Sequence, residues 1–220
     1  MKKLFEAIRH GDAAAVTALL DKKPELIACT AKAPPKKDAG QSPLQVAVKS
    51  GNFAIAQLLL DRGADVNFME AADCGSPWRM PVVHDAIMAA VKSSRFTVRG
   101  PQGYHAYHTQ AQADEAYALL ERIVTLGADL TRADSYGNTA LDRALLDTRQ
   151  IIPGFHHGEQ RYLDDRTITP ELDADLMRIF ALLIGREPGL QWDRKTFRPQ
   201  ETLLLQYLKR NGCPGCEDPA

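Results

Sequence analysis

The sequence predicts an all-α chain of about four stacked helix-turn-helix units closed by a C-terminal capping helix. Three observations carry this reading. A short phrase recurs as Ser42-Pro43-Leu44-Gln45-Val46-Ala47, Pro81-Val82-Val83-His84-Asp85-Ala86 and Thr139-Ala140-Leu141-Asp142-Arg143-Ala144, each copy opening an apolar helix. Two of the helices that follow end alike, in Gly63-Ala64-Asp65-Val66-Asn67 and Gly127-Ala128-Asp129-Leu130-Thr131. Between these marks the apolar residues fall at helical spacing, forming a stripe that one hairpin cannot bury alone.

The unit at Ser42 shows each element most clearly. Pro43 sits at the first helical position, where its missing N–H costs nothing and its fixed φ starts the helix. Leu44, Ala47 and Val48 share a stripe with Ile55, Leu58 and Leu59 of the partner helix, and small Ala47 lets helices approach. Gly51-Asn52 makes the turn between helices, and Gly63 ends the second one. From Ser42 to Gly63 is 21 residues, and the same spacing separates Lys2 from Lys23 in a degenerate first unit with its own Gly11-Asp12 turn. Polar Lys2, Lys3 and Glu6 suit the exposed end of a stack.

On the same ruler, Pro81 to Gly127 is 46 residues and Thr139 to Glu187 is 48, so units three and four carry insertions of 25 and 27 residues between their helices. Part of each lengthens a helix. Thr109 to Leu126 is rich in helix formers, and Thr169-Pro170-Glu171 is a helix start. The remainder, about residues 95–108 and 150–168, reads as loop and holds four of the six histidines. Pro199 to Asn211 forms one more amphipathic helix. The expected units are about 2–35, 36–74, 75–133 and 134–196 with a cap at 197–211, in one domain 1–211 followed by a flexible tail 212–220.

The recurring phrase resembles the ankyrin repeat, whose signature is Thr-Pro-Leu-His-x-Ala. The resemblance spans about residues 1–211 and implies a solenoid with both insertions on one edge, in mutual contact. It implies a non-enzymatic module that binds a protein partner through the concave surface of turn fingers and first helices. Carried over by position, that surface includes Gln41, Lys49 and Ser50, then Trp78, Met80 and Met88, then Ser135, Tyr136 and Asn138, with Arg9 and His10 from the degenerate unit. The insertions add Tyr104, His105, Phe155 and His156. His84, at the consensus histidine, is expected to make a structural hydrogen bond. An inhibitor or immunity-type role is one form of such binding, and an architectural arm joining two proteins is another.

Composition narrows the rest. A net charge of −1 gives no overall pull toward nucleic acid or membrane, and no apolar run is long enough to span a bilayer, so the expectation is a cytoplasmic monomer binding neither. No phosphate-binding glycine motif, nucleophile elbow or His-Glu-x-x-His is present, and no cofactor is expected. The alternative is a metal or redox protein using His105, His108, His156 and His157, or the Cys213/Cys216 pair. Two basic groups, Lys32/Lys36/Lys37 around Pro34-Pro35 and Lys92/Arg95/Arg99, suit an acidic partner surface.

Overall fold

A computed structural model describes residues 1–213 apart from 194 and 199. Four helical hairpins run in order: α1 (Lys2–His10) with α2 (Ala13–Lys22), α3 (Pro43–Lys49) with α4 (Phe53–Asp61), α5 (Val82–Lys92) with α6 (Gln110–Thr125), and α7 (Ala140–Thr148) with α8 (Pro170–Arg186). A last helix, α9 (Thr202–Arg210), packs on α8. The first helices α1, α3, α5 and α7 contact one another in sequence, and so do the second helices α2, α4, α6 and α8. That is a two-layered solenoid.

Local chemistry sets the ends of these helices. Ser42, Thr109 and Thr139 each close a capping box with the residue three positions on, Gln45, Gln112 and Asp142. Asp12 and Thr169 cap α2 and α8 in the same sense, each accepting a backbone N–H. Gly11, at φ +73°, makes the turn from α1 into α2. The Asn52 amide, instead of capping its own helix, donates to the Ile8 carbonyl at 2.7 Å and so satisfies an open end of the neighbouring unit's α1.

The core is continuous from Leu4 to Leu208. Leu44, Ile55, Leu59, Ile87, Leu119, Leu141, Leu176 and Leu183 are fully buried, each worth roughly 1.5–3 kcal/mol. Ala47, Ala86 and Ala144, at equivalent positions of the recurring phrase, are buried where first helices pack together. At the far end Phe180 of α8 stacks on Tyr207 of α9, ring centroids 5.5 Å apart. Pro199, where the last helix was expected to begin, lies outside the described residues. Cys213, assigned to the tail, is buried against the core, and Cys216 lies outside the described residues.

The all-α expectation needs one correction. Both insertions contain antiparallel hairpins, β1 (Thr97–Gly100) with β2 (Gly103–Ala106), and β3 (Phe155–His156) with β4 (Arg161–Tyr162). Gly103 at φ +104° and Gln160 at φ +52° make the two reversals. The insertions do touch. The Arg99 N–H donates to the Asp165 carbonyl at 3.0 Å, and Thr97 exchanges hydrogen bonds with the Thr167 backbone.

Candidate partner-binding face

Between consecutive units the chain runs out into fingers, at residues 29–42, 64–81 and 128–139, the first two of which meet first helices through Asp38 with Arg9, Met80 with Gln45, and Trp78 with Arg143. The second and third fingers are stitched together. The Ser135 N–H donates to the Arg79 carbonyl at 2.9 Å, while the Ser135 hydroxyl accepts the Arg79 N–H at 3.0 Å and donates to the Pro77 carbonyl at 3.0 Å. Asp134 organises the third fingertip by accepting the N–H groups of Tyr136 and Asn138 and the Asn138 side chain. These bonds hold its carboxyl below the usual range although burial opposes them.

On this frame Trp78 and Tyr136 stand 40% and 67% exposed. Trp78 is nevertheless fixed, because its indole N–H donates to Asp134 at 3.4 Å and Arg143 lies 5.7 Å from its ring centroid. Arg143 makes two bonds to Asp147 on its own helix, at 2.7 and 3.1 Å, and Lys92 of α5 approaches the same carboxylate at 3.7 Å. The Trp78 ring is therefore held above a paired cation, with Tyr136 exposed on the neighbouring fingertip.

The remaining candidates fall into four groups. Lys49, Ser50 and His10 are exposed, and Met88 is half-buried on α5. Ser135 and Asn138 are half-buried and act within the finger frame already described. Gln41 and Met80 are buried, because the long second finger folds back over α3. Gln41 donates to Glu70 at 3.4 Å, and the Met80 backbone lies between Glu70 and Gln45. Arg9 is held by Asp38 at 2.8 Å.

His84 is wholly buried, with the Arg132 backbone as its hydrogen-bonding neighbour at a geometry looser than a full hydrogen bond. Asp134, the largest charge influence on it, is already saturated by the finger. Burial lowers the imidazole pKa to about 4, so the ring is neutral near pH 7.

In the insertions, Tyr104 and His105 are exposed on β2, His156 is exposed, and Phe155 is half-buried against His157 and Tyr162. Phe96 stacks on Tyr107 at 5.0 Å and meets His108 edge-on. The rings thus pack within each hairpin. Among the described residues no three His, Cys, Asp or Glu side chains converge as metal ligands. The basic group of the third unit is consumed internally: Lys92 meets Asp147, Arg95 meets Asp175 and Arg99 meets Asp164.

A family model for ankyrin repeats, in three copies, matches residues 2–70. Residues 2–70 carry ankyrin repeats. The match covers the uninterrupted hairpins; α5–α6 and α7–α8 repeat the paired-helix arrangement, with a β-hairpin inserted where α1–α2 and α3–α4 turn at a glycine. No curated protein matches the chain significantly. Ankyrin repeats are generally protein–protein interaction modules and typically lack catalysis. Among the described residues no helix is long and apolar enough to cross a membrane.

Proposed function

We propose that this ankyrin chain is a non-enzymatic binding protein that grips one protein partner through the finger side of the solenoid, with Trp78 and Tyr136 as anchors. The observation that supports it is the stitched pair of fingers that exposes two aromatic rings, Trp78 held over Arg143 and Tyr136 at the neighbouring fingertip. Trp, Tyr and Arg are the residue types enriched at interface hot spots, and a rigid anchor loses little conformational entropy on binding. Lys49 and Met88 extend the same side, and the insertions offer Tyr104 and His105 at its edge. An inhibitor or immunity-type protein that masks another protein's active site would use such a surface.

The test is the Trp78→Ala/Tyr136→Ala double variant. A partner captured from host lysate by the wild-type chain should bind the variant about 100-fold more weakly, while the thermal melt stays within a few degrees because neither ring is in the core. Undiminished binding by the double variant would move the interface away from these fingers.

A further inference from the structure

Charge is unevenly placed in this near-neutral chain. Residues 1–10 and 29–50 hold Lys2, Lys3, Arg9, Lys32, Lys36, Lys37 and Lys49 against only Glu6 and Asp38, a surplus of five cations where the whole chain sums to −1. Asp38 is buried under Arg9, and Glu6 lies 3.8 Å from Lys2. Lys32, Lys36 and Lys37 are exposed, and among the described residues none has an ion-pair partner. They contrast with Lys92, Arg95 and Arg99, each of which meets an aspartate of its own chain.

The first finger that carries these lysines is flanked by two cavities. One, of about 250 Å³, opens between α1 and the finger over Phe5 and Ala31, with Lys2, Arg9 and Lys32 around it. The other, of about 530 Å³, opens on the opposite flank toward Phe68 and Met69. Both share Ala31, Lys32 and Ala33, so together they form a trough astride the finger. Its walls are fixed. The Ala31 N–H donates to the Gln41 carbonyl and the Gly40 N–H to the Ala31 carbonyl, both at 2.8 Å. Gly40 packs so tightly on the second finger that a Cβ there would lie 2.3 Å from the Cys74 Cβ.

We propose that this trough takes an extended acidic segment of the partner protein, one apolar side chain entering the cavity over Phe5 and Ala31 while flanking carboxylates meet Lys32, Lys36 and Lys37. The inference rests on the protein-binding reading above and names the chemistry of the partner. Unpaired surface lysines raise the encounter rate and orient an acidic chain, and the apolar lining of the open cavity adds affinity. A nucleic acid is the poorer fit, since Phe5 is only 3% exposed and the cavity it floors presents no open ring face for base stacking.

The probe is a fluorescein-labelled peptide of glutamates around one central leucine, titrated by fluorescence anisotropy at low and moderate salt. It should bind more tightly than the same peptide with alanine at the centre, and more tightly than an oligo-dT of matched charge. Lys32→Gln/Lys36→Gln/Lys37→Gln should weaken it about tenfold or more, and so should Ala33→Trp, which fills the trough from an exposed position. Lys22→Gln/Lys23→Gln/Arg186→Gln removes the same charge from the ends of second helices and should leave binding unchanged. Equal loss in that control, indifference to Ala33→Trp, or tighter binding of oligo-dT would each overturn the proposal. If the acidic peptide fails while Trp78→Ala/Tyr136→Ala still releases the native partner, the acidic segment alone is refuted. Retention of that partner by the double variant would refute the finger-side reading instead.

Discussion

Replacing Asp175 by alanine is expected to cost about 3–5 kcal/mol of unfolding free energy, more than an ordinary surface ion pair would. Asp175 is 2% exposed on α8 and accepts three bonds from Arg95, from its backbone N–H at 3.0 Å, its Nε at 2.9 Å and an Nη at 3.0 Å. Arg178 approaches the same carboxylate at 3.1 Å, then reaches Asp114 on α6 at 2.5 Å and covers the Tyr117 ring at 4.5 Å. One buried charge thus joins the end of α5 to α6 and α8, beneath the place where the insertions meet. Without it, two mostly covered guanidinium groups face each other with no counter-charge between them. Chemical denaturation followed by far-UV circular dichroism measures the loss. Hydrogen exchange should also quicken at the Arg99 amide, whose bond to Asp165 depends on that junction. A loss below about 1 kcal/mol would show that the junction is held by packing alone.

The same cluster shows where sequence reasoning stops. The helix start at Thr169 was legible because a cap is a local interaction three residues long, the helix from Thr109 because its residues are nearly all helix formers, and the insertion lengths because the ruler from the phrase to the end of the second helix is covalent. The counterions of Arg95 and Arg99 lie 80 and 65 residues further on, so in sequence those arginines read as a free basic group. The hairpins were hidden for a related reason. Strands of two and four residues carry almost no alternation of their own, and their pairing is set by the reversal at Gly103 and by the neighbouring insertion. Met80 and Gln41 were placed outward by family position. A second finger longer than the consensus folds back and buries them.

Asp85→Asn should stabilise the protein, and the gain should grow with pH. Asp85 is 1% exposed on α5; one oxygen accepts from Gln45 of α3 at 3.2 Å and the other has no partner. Burial pushes its pKa up to about 8, with buried Glu70 of the second finger adding to the rise and Lys49 of α3 and Arg143 of α7 opposing it. The folded protein therefore keeps a proton that the unfolded chain gives up near pH 3.8. Asp85 costs nothing below that value, and its cost builds as pH rises through the interval up to about 8, reaching about 4 kcal/mol at pH 7. An asparagine keeps the shape and the bond partner without the charge. The variant and the wild type should be equally stable at pH 4 and diverge steadily to pH 8. His84 works in the opposite direction in both proteins: its imidazole stays neutral in the fold down to about pH 4, while the unfolded chain protonates near 6.5, so it erodes stability as pH falls between those values. The two slopes nearly cancel between about pH 4 and 6.5, so the wild type should be evenly stable there and weaken at higher pH, whereas Asp85→Asn should gain stability up to about pH 6.5 and hold it. Urea midpoints at pH 4, 5.5, 7 and 8 decide the matter, and parallel curves for the two proteins would mean that Asp85 is ionised in the fold.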